Sequence, residues 1–215
     1  MKMRSEMVLV VLVILGSLRN VAVAQSAGDI RLLEPMFEKG ITLFDALRNR
    51  KSERVFSPGE LSLQQLSDLL WAAVGVNRKD SGKRTAPTAH NDQEIDVYVA
   101  MKSGLYLYNA VDHVLELVLK EDLRDATGKQ EFVSVAALNL VYVADFSKAK
   151  GNEESKRFYS ATDTGFISQN VYLYCATEGL ATVVRGWVDK EALAEKMQLQ
   201  PEQHVILAQT VGFPE

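Results

Sequence analysis

Apolar residues recur at intervals of three and four positions in several stretches of the chain, a spacing that is typical of amphipathic helices. The pattern predicts helices over residues 41–48, 61–73 and 190–197. Gly75 follows the second stretch and is expected to lie near the end of that helix. The sequence 57–60, Ser-Pro-Gly-Glu, predicts a turn or a helix start before it.

Other stretches have the patterns of strands. Residues 95–101 alternate between apolar and other side chains, which predicts a strand. Short apolar runs at 104–108 and 114–118 flank a turn-like segment and predict two further strands. The run 136–144 is apolar except for Asn139, so we expect a central strand that is buried on both faces. Two more strands are predicted over 181–184 and 205–211.

The longest predicted helix covers residues 153–177, and Gly179 follows it as a stop signal. Its apolar positions, among them Phe158, Phe166 and Val171, occupy more than one narrow stripe. Such a helix is either buried or faces a partner as well as its own sheet. Helices that alternate with strands, some of them linked as hairpins, favour an α+β fold with a mixed sheet sandwiched by helices.

The first residues have the features of a targeting segment. Two cations precede a short apolar run at residues 7–15, and the small residues at 22–24 resemble a cleavage site. We therefore expect a signal peptide over residues 1–24, export to the periplasm or the exterior, and one domain over 25–215. An uncleaved membrane anchor is the alternative interpretation.

Composition limits the possible functions. A hydrophobic content of 47% and a charged content of 24% are typical of a globular protein. The net charge of −4, with no basic stripe, argues against a nucleic-acid binder. Cys175 is the single cysteine, which excludes an intramolecular disulfide and a cysteine-based zinc site. The three histidines are far apart in sequence, so no metal site is expected, and no G-x-S-x-G elbow suggests a hydrolase.

Two segments are candidates for binding a charged cofactor. Arg50-Lys51-Ser52-Glu53-Arg54 brings three cations and a hydroxyl together beside the apolar pair 55–56. Guanidinium groups bind phosphate oxygens in a bidentate manner, so this segment suits an anionic group, although a solvated charged loop has the same composition. The second segment, residues 85–93, contains small and amide side chains that suit a flat polar edge. Together they indicate a phosphate-bearing cofactor.

The order and spacing of the motifs resemble the FMN-dependent nitroreductase family over roughly residues 46–213. The matching segments are Arg50–Arg54, Phe56–Pro58, Leu63–Ala73, Asn91–Gln93, Asp163–Gly165, Gln169–Leu173, Glu178–Leu180 and Val184–Asp189. Residues 77–89 resemble the branch that contains the thiazoline and oxazoline peptide dehydrogenases. The resemblance implies a nitroreductase-like fold, with the long helix as a dimer helix and FMN bound at the interface of a homodimer.

The resemblance also implies roles at the phosphate end of FMN. Arg50, Lys51 and Ser52 would hold the phosphate and the ribityl chain. Arg54 would lie near the N1–C2 carbonyl edge, where a positive charge stabilises reduced flavin. The chain lacks the basic residue that many members place near the C-terminus, and Arg48 is a possible substitute.

At the ring end, the resemblance places the Asn91 amide on the pyrimidine edge, although turn capping is an equally good interpretation of this residue. The backbone N–H groups of Arg185 and Gly186 would face N5. Glu94 stands where the family usually has proline, so the loop is expected to enter its strand differently.

The resemblance implies an oxidoreductase that passes electrons from reduced flavin to a small electrophile such as a nitroaromatic or a quinone, with no dedicated catalytic side chain. The electron donor, NAD(P)H or another, is open. The alternative is a non-catalytic exported protein that keeps the fold and binds flavin or another ligand. A peptide thiazoline or oxazoline dehydrogenase is a third possibility.

Overall fold

The computed structural model describes residues 27–37 and 40–215, and its central feature is a seven-stranded sheet. The strands of this sheet are β1 (Ile30–Arg31), β4 (Ile95–Met101), β5 (Gly104–Asn109), β6 (Val114–Leu119), β7 (Leu138–Asp145), β8 (Ala181–Arg185) and β9 (Gln203–Gly212). Their order is β1-β6-β5-β4-β7-β9-β8, and every pairing is antiparallel. A separate hairpin consists of β2 (Val76–Arg78) and β3 (Lys83–Arg84).

Helices lie on both faces of the sheet. They are α1 (Leu43–Asn49), α2 (Leu63–Val74), α3 (Phe132–Val135), α4 (Glu153–Glu178) and α5 (Lys190–Lys196), with 3-10 turns at Ala89–Asn91 and Arg124–Thr127. The α+β class is therefore confirmed. The expectation of a mixed sheet is wrong in detail, because all seven strands run antiparallel to their neighbours in this part of the chain.

The sequence pattern explains the main helix boundaries. Ser62 and Gln65 form a reciprocal capping box at the start of α2. The Asn152 side chain accepts the Ser155 N–H at the start of α4. Gly179 ends α4 with φ of 67°, a left-handed conformation that glycine adopts without a Cβ clash. The predicted long helix and its stop are confirmed.

The core has two layers, one on each face of the sheet. Alternate residues of β4, such as Val97 and Val99, face α2 and α4, where Ile167 and Val171 are fully buried. The residues between them, such as Tyr98, face the layer that contains α5. This alternation follows from the period of two in a strand, and it fixes α4 across one face of the sheet.

Several elements were not expected from the sequence, chiefly β1, the hairpin of β2 and β3, and the two 3-10 turns. The predicted central strand is confirmed as β7, which lies between β4 and β9. None of the helices in the described residues is both long and apolar enough to cross a membrane. The expected signal peptide, residues 1–24, lies outside the described residues.

Candidate active site

The basic segment 50–54 runs along the outer edge of β8. Arg50 caps the end of α1 through its backbone N–H, which donates to the Ala46 carbonyl. Three residues later the Glu53 N–H donates to the Thr182 carbonyl on β8 at 3.0 Å. Because β8 is an edge strand, its outward backbone groups are free to accept this segment.

Tyr172 on α4 ties the basic segment to the same strand. Its hydroxyl lies 2.7 Å from the Ser52 hydroxyl and accepts the Val184 N–H at 3.0 Å. The Arg50 guanidinium lies over the Tyr172 ring, 5.3 Å from its centroid. The 169–173 motif is part of the family resemblance, but the sequence alone indicates no role for Tyr172. A tyrosine on a largely buried helix, with a hydroxyl that needs a partner, was the available signal.

The charges of the segment are not equivalent. Lys51 is exposed and forms an ion pair with Glu53 at 2.6 Å, so its charge is largely compensated. Arg54 is exposed, and within the described residues no carboxylate pairs with Arg50 or Arg54. Arg48, the possible substitute for a C-terminal base, pairs with Asp45 at 3.0 Å. Two guanidinium groups are therefore available to an anion.

A cleft of about 390 Å³ opens beside this segment. Lys51, Glu53 and Tyr172 line one part of it, and Thr182 and the C-terminal Pro214 line another. This volume is within the range of small-molecule sites. The cleft therefore connects the cationic segment, the edge strand and the long helix.

The end of β8 corrects one expectation about the ring end of the site. Thr182 accepts from Glu53 and Val184 donates to Tyr172, so these alternate residues direct their backbone groups outward. Arg185 is therefore turned inward, paired with Ala208 of β9. Its N–H faces the sheet and is not available to a cofactor at the outer edge. Continuing the alternation places Gly186 on the outer side, and its N–H has no partner among the described residues.

The Arg185 side chain holds the opposite side of β8. Its guanidinium donates to the Thr127 backbone carbonyl at 2.8 Å, the Thr210 hydroxyl at 2.9 Å and the Asn139 side-chain amide oxygen Oδ1 at 3.0 Å. Burial lowers the pKa of Arg185 to about 10. All of these partners are neutral, so Arg185 has a structural role: it anchors the strand end that carries Gly186.

Asn91 lies at the other end of the candidate site. It follows His90 in a tight 3-10 turn, and both residues have left-handed backbone angles, with φ of 57° and 55°. The turn is fixed to α4 by the Ala89 N–H, which donates to the Asp163 carboxylate at 2.9 Å. Left-handed non-glycine residues often mark functional loops, and the exposed Asn91 amide is consistent with that role.

The long helix α4 carries both ends of the site. Tyr172 anchors the basic segment, and Asp163 anchors the Asn91 turn. Nine residues of α-helix separate them, a rise of about 14 Å. The structure therefore brings residues 50–54 and the end of β8 into one cluster. It places Asn91 apart from that cluster.

The remaining reactive side chains have other partners. His113 is bonded at both ring nitrogens, to the Tyr108 hydroxyl and the Leu33 carbonyl, each at 2.8 Å. His204 packs against the Phe146 ring. Burial raises the pKa of the Cys175 thiol, which favours the unreactive protonated form. Within the described residues, no group of three or more His, Cys, Asp or Glu side chains could hold a metal ion.

Comparison with known proteins identifies the family. A model described as the nitroreductase family matches residues 47–213. The chain belongs to the nitroreductase family. A protein of Methanocaldococcus jannaschii that bears the name of a nitroreductase is 29% identical over 183 residues, which cover 80% of this chain and 91% of that protein. Membership of the nitroreductase family supports a nitroreductase-type oxidoreductase role.

Solved structures agree with this family assignment. A crystal structure from Ralstonia eutropha JMP134, also named as a nitroreductase, has a TM-score of 0.83 and 46% identity, and the match covers 87% of this chain and 90% of that one. The NADPH:FMN oxidoreductase of Vibrio harveyi, complexed with NAD+, has a TM-score of 0.62 and 17% identity, covering 80% of this chain and 69% of that one. At this identity the second match shows a likeness of fold alone.

Proposed function

We propose that this nitroreductase-family protein binds FMN and passes electrons to a small electrophilic acceptor such as a nitroaromatic or a quinone. The hydroxyl contact between Ser52 and Tyr172 carries the proposal. It holds a segment with two unpaired guanidinium groups against the outer edge of β8, beside the cleft that Lys51, Glu53 and Tyr172 line. The name of the Vibrio harveyi relative supports FMN as the cofactor.

The residues present fit an elongated anionic cofactor. Arg50 would bind the phosphate, because no carboxylate in the described part of the chain competes for it. Arg54, which is also unpaired there, would lie at the N1–C2 edge of the ring. Ser52 would add a neutral donor beside them. The Gly186 N–H, on the outer side of β8, and the Asn91 amide would meet the ring, whereas Lys51 would contribute less because Glu53 already pairs with it.

In this proposal the cofactor carries out the electron transfer, and the protein positions the cofactor. FMN, when bound, supplies a ring that accepts electrons and passes them to an acceptor. Arg54 supplies positive charge for an electron-rich ring, and the end of β8 is held in place from behind by Arg185. No side-chain acid is required in this proposal. The donor is NAD(P)H or another reductant, and export remains part of the proposal.

We also propose a homodimer built on α1 and α4. Large apolar side chains are exposed on both helices, including Phe44 at 78% and Phe166 at 45%, and the two helices pack against each other. Clusters of exposed apolar side chains on soluble proteins commonly mark interaction surfaces. A second copy would cover these side chains and enclose the neighbouring cleft.

Absorbance spectroscopy of protein mixed with FMN and passed through a desalting column tests the function. We expect a retained visible flavin spectrum, bleached by anaerobic reduction and restored when a nitroaromatic or quinone is added. A protein that retains no flavin would contradict FMN binding. Retained flavin that is never reoxidised by any acceptor would instead support the non-catalytic binding protein. Anaerobic bleaching of the oxidised flavin by a thiazoline peptide, with conversion of the peptide ring to a thiazole, would support the peptide dehydrogenase.

A further inference from the structure

Glu94 and Asp163 are two acidic side chains buried in the same place. Glu94 is 2% exposed at the start of β4, and Asp163 is 2% exposed on α4. The Glu94 carboxyl faces the Asp163 carboxylate, and the Ser160 hydroxyl is beside it. The Glu94 backbone N–H and the Ser160 hydroxyl approach the carboxyl and partly offset its burial, but within the described residues neither Glu94 oxygen has a donor with full hydrogen-bond geometry. A buried carboxylate without a donor is costly, so this arrangement requires an explanation.

No cation compensates Glu94. The charged and titratable groups on the adjoining parts of the surrounding elements are His90 and Asp92 in the turn, Asp96 on β4, Asp145 at the end of β7, Lys148 and Lys150 after β7, and Lys156, Tyr159 and Asp163 on α4. The three lysines are engaged elsewhere.

Each of these lysines has a close partner. Lys148 pairs with Asp96 at 2.8 Å, and Lys150 pairs with Asp92 at 2.9 Å. The Lys156 ammonium donates to a backbone carbonyl, that of Phe146, at 2.6 Å. The cavity beside Glu94 measures about 10 Å³, which is at the lower limit for one water molecule. Neither a cation nor bulk water is therefore available to stabilise a charge on Glu94.

We propose that Glu94 and Asp163 form a carboxyl–carboxylate pair that shares one proton and fixes the turn of residues 88–93 on α4, so that the position of Asn91 responds to pH. Two like charges at one buried site cannot both be stable, and a proton on Glu94 converts the repulsion into a donated hydrogen bond. Glu94 is thus a positioning residue. Asp163 is the link, because it also accepts the Ala89 N–H.

Electrostatics supports this geometry. Burial, followed by the Asp163 charge, raises the pKa of Glu94 from 4.5 to about 6. Loss of the proton above that pH leaves two facing carboxylates, which disfavours the closed turn. If the Glu94 pKa returns to 4.5 when the turn opens, the ratio of closed-turn to open-turn molecules falls by about thirty-fold from low to high pH, because the pKa differs between the two states by about 1.5.

The test does not require the cofactor. In protein labelled with carbon-13, NMR follows the Glu94 side-chain carboxyl through a pH titration, and hydrogen exchange follows the backbone of residues 88–93. Glu94→Gln removes the titration, and Glu121→Gln makes the same chemical change at an exposed position. We expect the Glu94 carboxyl to titrate with a midpoint near 6. At high pH, the backbone amides of residues 88–93 should exchange faster in the wild type and in Glu121→Gln than in Glu94→Gln.

A Glu94 midpoint at or below 4.5, or identical pH dependence of exchange in wild type and Glu94→Gln, would overturn the proposal. Asp163→Asn provides a second test should Glu94→Gln not fold, because the amide oxygen can still accept the Ala89 N–H. The Glu94 midpoint should then fall, and an unchanged midpoint contradicts the pairing.

The effect on the cofactor rests on the function proposed above. FMN affinity should weaken with rising pH more in the wild type than in Glu94→Gln. If no variant binds FMN while the carboxyl titration is as expected, the proposed function fails and the pairing stands. If FMN binds but its affinity changes equally with pH in both proteins, the role in positioning Asn91 is wrong.

Discussion

Ser52 and Tyr172 are 120 residues apart in the chain, and their hydroxyl groups lie 2.7 Å apart. Because the Tyr172 hydroxyl also accepts the Val184 N–H, one side chain holds three separate parts of the molecule together. The basic segment, the long helix and the edge strand thus meet at a single oxygen atom. The affinity of the candidate site for an anion should depend on this contact.

Replacing Tyr172 by phenylalanine should distinguish the contribution of the hydroxyl group from that of the aromatic ring. Tyr172→Phe leaves the Val184 N–H without its acceptor, which should cost about 1–3 kcal/mol of unfolding free energy, while the aromatic face under Arg50 remains. Chemical denaturation measures the loss, and FMN affinity should fall in the same variant. Tyr159→Phe removes a tyrosine hydroxyl that has no hydrogen-bond partner among the described residues; it is the control for stability and should leave the unfolding free energy unchanged.

Removing one guanidinium group tests the phosphate site. Arg50→Ala should weaken FMN binding by about ten- to a hundred-fold, equivalent to about 1.5–3 kcal/mol, because one charge-assisted contact is lost. Fluorescence titration of FMN measures the affinity. Arg48→Ala removes a nearby arginine that already pairs with Asp45 and should have little effect. Equal affinities in the two variants would contradict the assignment of Arg50.

Gly128 should tolerate no side chain. A Cβ at this position would lie within van der Waals overlap of the Arg185 guanidinium, so Gly128→Ala should destabilise the protein by about 1–3 kcal/mol. Arg185→Met is also expected to be destabilising, because it removes donors from Thr127, Thr210 and Asn139. The double variant should lose less than the sum of the two, because the overlap disappears with the guanidinium. Denaturation curves of the three variants decide this, and strict additivity would contradict the clash.

Glu94 should make the protein less stable as pH rises. Its pKa is raised in the folded state, so the folded protein binds an extra proton between about pH 4.5 and about pH 6. The stabilisation is therefore complete below about pH 4.5, falls through this range and is lost above about pH 6. A shift from 4.5 to about 6 corresponds to about 2 kcal/mol. Compared with wild type, Glu94→Gln should therefore gain about this amount in relative stability between about pH 4 and about pH 8. A difference between the two proteins that does not change with pH would show that folding does not raise the pKa of Glu94.

The exposed side of α4 should control assembly. Phe166→Asp places a charge where a second copy is expected to pack, so it should shift the protein from dimer to monomer in sedimentation experiments. Val111→Asp makes a similar change on the exposed turn between β5 and β6 and should leave the assembly unchanged. A dimer that survives Phe166→Asp intact would locate the interface elsewhere.

The regular elements were predictable because their patterns are local. The alternation at 95–101 and the apolar run ending at 144 correspond to β4 and β7, and Gly179 ends α4 as predicted. The strand β1 was missed because it contains only two residues and depends on β6 for its hydrogen bonds. The hairpin of β2 and β3 was missed for a different reason: its sequence is charged and has no apolar alternation.

The candidate site was only partly predictable. Segment 50–54 could be identified from its own composition, but its pairing with β8 depends on tertiary contacts. The inward direction of the Arg185 N–H follows from strand register, which the residues 184–189 alone do not define. Tyr172 was missed because its partners are distant in sequence, and the burial of Glu94 could not be inferred from one acidic residue at the start of a strand.

Tyr172 and Asp163 lie on one uninterrupted helix, which limits the insertions and deletions that homologous chains can accept between them. Inserting a single residue between them would turn one side chain by about 100° relative to the other and lengthen their separation. Surface loops could change in length without altering this geometry, whereas the number of residues from 163 to 172 could not. Variants with insertions or deletions in that stretch should therefore lose the alignment of the basic segment with the Asn91 turn even when they fold.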